Sequence, residues 1–266
     1  MGDFEDPPLG SYVRIELLRY KAKGVWLLLG ALMCAGIYGK LVPALISALL
    51  QAVGMLQLPN SLYLTLVVMI SHDFCYILHC LMLRGVTFMG WSEQYRCNPT
   101  AEWPWTADKA LVSRTYTTLL FNFFVLIPVA IYLGLSSGSF DFPGGSIIPP
   151  LWEIIRQILF CMCAEDVWSF TFHRINHYRL PYRYIHKKHH EYKTSIGMTA
   201  EYAHPCEYLI TNVAAAAVGP VMLGTRMQMV TFLTWLCYRI GDTVDQHGAY
   251  EFPWSPFSIL PFASKG

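Results

Sequence analysis

The chain has 266 residues, of which 54% are hydrophobic and only 14% are charged. Ordinary soluble proteins carry about a quarter of charged residues, so this composition excludes a typical soluble protein and indicates a membrane protein. The net charge of +1 excludes a nucleic-acid-binding protein, which needs concentrated Lys and Arg. The eight cysteines form no CxxC pair, and we expect most of them to be small hydrophobic residues.

The amino terminus, MGDFEDPPLG, is acidic and lacks the positively charged start of a secretory signal. It also has Asp6 at the position where a myristoylation signal needs Ser or Thr. We therefore expect the first apolar segment to remain in the protein as a membrane anchor.

Four segments are long and apolar enough to cross a bilayer, whose hydrocarbon core needs about 20 residues of helix. They are residues 25–45, 61–83, 116–135 and 150–172. Pro43 predicts a bend in the first segment, which can continue to residue 56.

The positive charges predict the orientation of these helices, because short cytosolic loops retain Lys and Arg. Basic residues precede the first segment and follow the second, whereas residues 46–60 and 136–149 contain none. We therefore expect these two gaps to face the lumen. Four crossings return the chain to the cytosol at residue 173. The basic residues that follow are Arg174, Arg179, Arg183, Lys187, Lys188 and Lys193.

Two further apolar stretches, residues 208–224 and 228–240, are short, and Gly219 and Pro220 interrupt the first. Two full crossings would need about 40 apolar residues, so we expect a half-buried helical hairpin at the membrane interface. Two full spans are the alternative.

A stretch of eighteen residues, HRINHYRLPYRYIHKKHH, contains five of the nine histidines. His173 and His177 are four residues apart, so on a helix both imidazoles project from one face and can share a metal ion. In the second group, HKKHH, a helix would point His186 in the same direction as His189 and His190. The two groups together predict a metal site. A basic helix face whose lysines bind lipid phosphates is the alternative.

Two more histidines have acidic neighbours that can orient an imidazole or bind a metal themselves. His204 lies in AEYAHPCEY and His247 in GDTVDQHGAYEFPW. The acidic neighbours are Glu201, Glu207, Asp242 and Asp245. Both histidines are candidate ligands, with a buried, hydrogen-bonded histidine as the alternative.

Asp166, His72 and His79 lie inside predicted membrane helices. Asp166 precedes His173 by two turns on the same helical face, where it can brace a ligand or hydrogen-bond to another helix. His72 and His79 lie in the second segment with no motif around them. We assign both to helix packing or to an interfacial position rather than to the metal site.

Imidazole ligands suit Zn, Cu, Fe and Ni, so the histidines alone do not select the element. Their number exceeds what one tetrahedral zinc ion uses, which favours two metal ions. The predicted fold is an all-α integral membrane protein with about four transmembrane helices in two hairpins. A cytosolic, histidine-rich helical cap would hold the dimetal site.

Four stretches resemble the membrane-bound fatty acid hydroxylase and sterol desaturase superfamily, and most of all its C4-methylsterol monooxygenases. They are CAEDVWSFTFHRINH, YRYIHKKHHEY, GMTAEYAHPCEY and DTVDQHGAYEFPWSPFSILPF. The resemblance divides the chain into an N-terminal transmembrane region, residues 1–149, and a fatty acid hydroxylase-type catalytic region, residues 150–266.

The resemblance implies a non-haem di-iron monooxygenase of the endoplasmic reticulum, which uses O2 and electrons from NAD(P)H delivered by cytochrome b5 and its reductase. The implied substrate is a membrane-borne lipid, the C4-methyl group of a sterol intermediate in sterol biosynthesis. The matching ligand positions are His173, His177, His186, His189 and His190, together with His204 and His247. The basic residues around the cluster, Lys187 and Lys188 among them, are expected to attract an acidic electron donor.

The family pattern ends with one more HxxHH box after the proline-rich turn, and no such box occurs before Gly266. We expect the natural chain to continue beyond this residue, and a genuine short form that lacks up to three ligands is the alternative. Two different functions stay open beside the sterol oxidase: a fatty-acyl or sphingolipid hydroxylase or desaturase, and a non-catalytic sterol-binding relative. A metal transporter or sensor would be expected to have histidines that line the spans.

Overall fold

The computed structural model describes residues 30–90, 92–136 and 145–255. It also describes the separate positions 25, 28, 138, 142, 143 and 257. The expectations for the amino terminus and for the basic residues before the first segment lie outside the described residues.

Seven helices, numbered along the described chain, form the structure. The first four are α1 at Gly30–Gly54, α2 at Asn60–Met89, α3 at Lys109–Ser136 and α4 at Leu151–Asn176. The others are the short α5 at Arg179–Tyr184, α6 at Pro205–Arg226 and α7 at Met229–Gln246. Single helical turns connect them at Glu93–Tyr95, Pro104–Ala107, His186–Glu191 and Gly197–Glu201. The described residues contain no β-strand, and their one isolated bridge joins Arg96 to Tyr250.

Four of these helices, α1, α2, α3 and α6, are long and apolar enough to cross a membrane. The first three confirm the first three predicted segments. The fourth prediction was partly wrong: α4 covers residues 150–172 as expected, but it is not a candidate span by composition. The reason is its charged residues, which are Glu153, Arg156, Glu165, Asp166 and Arg174.

The expected interfacial hairpin of residues 208–224 and 228–240 is not what the structure shows, because both helices lie within the bundle. The end of α6 reaches the early part of α4, where the Gln157 side chain donates a hydrogen bond to the backbone carbonyl of Arg226 (2.9 Å). In α7, 13 of the 18 residues are buried. The second helix of the predicted hairpin is therefore a core element.

The sequence predicted a break in α6 at Gly219 and Pro220, but the structure gives a different reason for the glycine. A Cβ atom at this position would lie 2.7 Å from the Cα atom of Cys161 on α4, so only glycine permits this close approach of the two backbones. The helix continues through Pro220. Gly219 therefore marks a contact between helices and not the end of one.

Two contacts define the ends of the bundle. The Ser47 hydroxyl on α1 donates to the backbone carbonyl of Ser146 (2.7 Å), so the two gaps without Lys or Arg meet at one end. At the other end, the hydroxyl groups of Thr115 and Tyr192 are 2.6 Å apart, just beyond the histidine stretch. The two gaps thus lie opposite the histidines, as the charge pattern predicts.

No disulfide bond is formed by the described cysteines at positions 34, 75, 80, 161, 163, 206 and 237. Cys161 and Cys237 are buried in the hydrophobic core. This agrees with the expected role of cysteine as a small hydrophobic residue.

Candidate metal centre

Four histidines meet where α4 ends. His173 and His177 come from the last turn of α4, and the helical turn His186–Glu191 places His186 and His190 against them. One nitrogen atom from each of the four lies within 4.8 Å of the corresponding atoms of the other three. The two sequence motifs, HxxxH and HxxHH, therefore form one cluster.

The spacing of the nitrogen atoms suits a shared ion. The Nε2 atom of His186 lies 3.2 Å from that of His177 and 2.9 Å from that of His190. The Nε2 atoms of His177 and His173 are 3.0 Å apart. Two nitrogens that bind one ion at about 2.1 Å, at a right angle, are about 3.0 Å apart. The four residues thus fit a divalent metal of the kind that imidazole prefers.

Glu207 contacts His186 from the side that faces away from the cluster. Its Oε1 atom is 2.6 Å from the Nδ1 atom of His186, and both side chains are buried. A carboxylate only accepts hydrogen bonds, so Nδ1 carries the proton and Nε2 keeps its lone pair for the cluster. The Nε2 lone pair of His186 is therefore available to a metal ion.

His189 and His247 form a second pair, with ring centroids 5.5 Å apart. The Nδ1 atom of His189 donates to the carbonyl of Tyr202 (3.2 Å), and that of His247 donates to the carbonyl of Thr243 (2.7 Å). Each ring thus keeps its Nε2 lone pair. His189 lies outside the four-histidine group, although its ring stacks on that of His186 with centroids 5.8 Å apart.

The surroundings lower the pKa of three of these imidazoles, which favours their neutral form. Burial and the nearby His186 and His177 rings lower the pKa of His173 to about 4. Burial and the neighbouring His247 lower the pKa of His189 to about 3. Burial also lowers the pKa of His190. A neutral imidazole is the form that binds a metal.

The other predicted site residues have different contacts. The Nδ1 atom of His204 accepts a hydrogen bond from the Cys206 backbone at the start of α6 (3.2 Å), and His204 is outside the four-histidine group. Asp242 accepts a hydrogen bond from Gln246 (2.9 Å). Asp245 accepts one from the Ser255 hydroxyl (3.0 Å).

The two histidines of the second span lie outside the four-histidine group. The Nε2 atom of His72 is 3.0 Å from Oε1 of Glu201, and its Nδ1 atom is 2.9 Å from Oδ1 of Asp73. The Nδ1 atom of His79 donates to the carbonyl of Cys75 (2.7 Å). Their assignment to helix packing agrees with these contacts.

A cavity of about 590 Å³ lies beside the cluster and extends between α4, α6 and α7. His173, His189, His190 and His247 all face it, and Asp166 lines it on α4. Apolar side chains of the same wall are Met162, Phe170, Trp235 and Phe257. Polar and charged side chains, among them Glu165, Asp242 and Gln246, line the rest of the cavity, so it can hold a molecule with both apolar and polar groups next to the histidines.

Tyr182 is a site residue that the sequence patterns did not predict. Its ring lies 5.8 Å from the ring of His177 and 6.0 Å from those of His186 and His190, measured between centroids. The only signal was its place between the two histidine motifs.

The fold and the histidine cluster define a class of helical membrane protein with a histidine-rich candidate metal centre at one end of its bundle. Residues 158–264 match the family model described as Fatty acid hydroxylase. The chain belongs to the fatty acid hydroxylase family.

The similar proteins include methylsterol monooxygenases. Methylsterol monooxygenase 1 of Danio rerio is 31% identical over 201 residues, which cover 73% of this chain and 65% of that protein. A Dictyostelium discoideum relative, also named for methylsterol monooxygenase, is 30% identical, over 73% of this chain and 69% of its own. The chain thus spans about 65% of the zebrafish relative.

A relative with a different name matches a shorter region. A very-long-chain aldehyde decarbonylase of Oryza sativa is 38% identical over 146 residues, which cover 54% of this chain and 53% of that protein. No solved structure matches the chain.

Proposed function

We propose that this chain is a membrane-bound oxidoreductase that hydroxylates an unactivated C–H bond of a membrane lipid with O2 and two iron ions. The proposed substrate is the C4-methyl group of a sterol intermediate. The observation that carries the proposal is the convergence of four imidazoles beside a large cavity whose wall includes apolar side chains. The methylsterol monooxygenase names of the relatives support the choice of substrate.

The histidines divide into two groups of proposed ligands. His173, His177, His186 and His190 would hold one ion, and His189 and His247 would contribute to the second. His204 stays a proposed ligand, whose Nε2 atom is left for a metal because Nδ1 accepts the Cys206 hydrogen bond. When bound, iron and O2 would supply the oxidant that removes hydrogen from the C–H bond and returns a hydroxyl group.

The cavity supplies binding and positioning. Phe170 lines it and is 65% exposed on the outer face of α4, so the cavity is bordered by a side chain that can touch lipid. Trp235 and Phe257 lie deeper and are buried. An apolar substrate can thus move from the bilayer to the histidines while its apolar body displaces water from the cavity.

We also propose an endoplasmic reticulum location with the histidines on the cytosolic side, where cytochrome b5 and its reductase would deliver electrons from NAD(P)H. Between residues 167 and 190 the chain has no Asp or Glu. Its exposed bases there are Arg174, Arg179, Arg183 and Lys187. This positive surface suits an acidic electron donor.

The structure separates the two lysines of the HKKHH motif. Lys188 donates to the Thr118 hydroxyl (3.0 Å) and lies 5.1 Å from the centre of the Tyr202 ring, whereas Lys187 is exposed. We expect Lys187→Glu to slow reduction by cytochrome b5 several-fold at low salt and little at high salt. Stopped-flow reduction of wild type and variant at two ionic strengths tests this, and equal rates at low salt would count against the docking surface.

Complementation tests the proposed reaction. Yeast that lacks its methylsterol oxidase would receive either this 266-residue chain or a version extended through the natural downstream sequence. Growth without added sterol and the amount of 4,4-dimethylsterols are measured. We expect rescue by at least one form and loss of rescue on His186→Ala. Failure of both forms, each present at normal levels in membranes, would contradict the sterol substrate.

The rice relative supports a second candidate, a long-chain fatty aldehyde or fatty-acyl substrate. The apolar side chains of the same cavity, such as Met162 and Phe170, can contact an extended acyl chain. Lipid extracts from the same yeast distinguish the two: altered aldehydes or hydroxylated acyl chains with unchanged sterols would favour the second candidate.

A further inference from the structure

We infer that Glu207 is the positioning residue that fixes His186 as a metal ligand. The inference rests on the proposed metal site and adds a specific role for one side chain. Glu207 does not belong to the cluster of four imidazoles, and it acts only through His186.

The contact itself is short and shielded from water. Oε1 of Glu207 and Nδ1 of His186 are 2.6 Å apart. The His186 side chain is fully buried and that of Glu207 is 4% exposed. In such surroundings an unpaired carboxylate is costly, so the pair holds the imidazole in one orientation.

His186 has a central place in the cluster. Its Nε2 atom contacts the Nε2 atoms of both His177 and His190, within 3.2 Å. It is also the one member of the four-histidine group that is buried. If the His186 ring rotated or changed its tautomer, an N–H group would point at the nitrogens of His177 and His190. That N–H group would repel a bound cation.

The start of α6 explains how Glu207 reaches this position. Pro205 occupies the first turn, and His204 precedes it as the capping residue. Glu207 thus lies in the first turn of a helix, where a negative charge is favourable, with its side chain directed at the histidine turn.

Glu201 provides a matched control six residues earlier. It is 1% exposed and also pairs with a histidine, since its Oε1 atom is 3.0 Å from Nε2 of His72. His72 is outside the four-histidine group. The substitutions Glu207→Gln and Glu201→Gln thus make the same chemical change at equally buried sites, but only the first touches a ligand.

The test titrates the purified, metal-free chain with Co²⁺ and follows the visible absorption of the bound ion. We expect Glu207→Gln to weaken binding by about 10- to 100-fold, the usual effect of losing a carboxylate that supports a histidine ligand. Glu201→Gln is expected to change the affinity by no more than about two-fold, because its partner is no ligand.

A double variant tests whether Glu207 acts through His186. In a His186→Ala background, Glu207→Gln is expected to change Co²⁺ affinity by no more than about two-fold, since the ligand it positions is gone. Should Glu207→Gln fail to fold, Glu207→Asp replaces it, because it keeps the carboxylate but moves it one carbon away from Nδ1. We expect weaker binding than in the wild type.

The outcomes separate the two proposals. Unchanged Co²⁺ affinity of the Glu207 variants would overturn the positioning role, and so would an equal loss with Glu201→Gln or in the His186→Ala background. If the wild type itself binds no Co²⁺, the metal site of the proposed function fails, and the positioning role fails with it.

Discussion

Two buried glutamates, six residues apart in the chain, each contact a histidine. The two pairs differ in what the second nitrogen of the histidine contacts. In one, Glu207 holds His186, whose other nitrogen points into a cluster of three more imidazoles. In the other, Glu201 holds His72, whose other nitrogen meets Asp73 on the same helix. The first histidine has a nitrogen free for a metal, and the second has none.

The difference shows that a buried carboxylate–histidine contact does not by itself indicate a metal site. Glu201 also accepts a hydrogen bond from the Tyr208 hydroxyl (2.8 Å), and Asn122 on α3 donates to its backbone carbonyl (3.1 Å). Burial alone would raise the pKa of Glu201, but His72 and Tyr208 lower it, so the carboxylate stays charged. This pair connects α2, α3 and α6 through the Gly197–Glu201 turn.

The largest expected effect is on stability, from His72→Ala. This substitution leaves the Glu201 carboxylate buried without its main partner, which typically costs about 3 to 5 kcal/mol. We expect a lower free energy of unfolding, measured by denaturant titration in mixed micelles.

The double variant His72→Leu with Glu201→Gln sharpens this prediction. It removes both charges together and keeps an acceptor for the Tyr208 hydroxyl, so most of the lost stability should return. A double variant as unstable as His72→Ala alone would show that the pair is not the source of the loss.

A smaller effect is expected from metal removal. A ligand present at about 100 times its dissociation constant stabilises a folded protein by about 2.7 kcal/mol. Chelation should therefore lower the melting temperature of the wild type and of Glu201→Gln by more than that of His186→Ala, which has lost one histidine of the four-histidine group. A chelator effect of the same size in His186→Ala would place the metal elsewhere.

The smallest expected effect concerns Tyr208→Phe, which removes only the hydroxyl group that contacts Glu201. One buried hydrogen bond to a charged group contributes about 1.5 to 3 kcal/mol, and His72 remains to pair with the carboxylate. We expect a loss at the lower end of this range and unchanged Co²⁺ affinity. Weaker metal binding would mean that the two glutamate–histidine pairs are coupled.

Local patterns in the sequence predicted much of the fold and the site. Apolar runs of sufficient length predicted α1, α2 and α3, because helix length and bilayer thickness are linked by simple geometry. The HxxxH spacing predicted that His173 and His177 share a face of α4, because helical periodicity sets that spacing. The clustering of histidines predicted that HxxHH would join them.

The tertiary structure decided what depends on contacts between distant segments. In the sequence, Gly219 and Pro220 indicate a helix break. In the structure they lie within α6, where Gly219 packs against Cys161. His189 was expected beside His186 and its ring does stack on it, but its Nδ1 atom bonds to the carbonyl of Tyr202 and its ring also contacts His247. No local pattern distinguishes Glu207 from Glu201, since each is a glutamate near an aromatic residue. Residues 201–207 pack against α2 and against the turn His186–Glu191. Only this packing pairs Glu201 with His72 and Glu207 with His186.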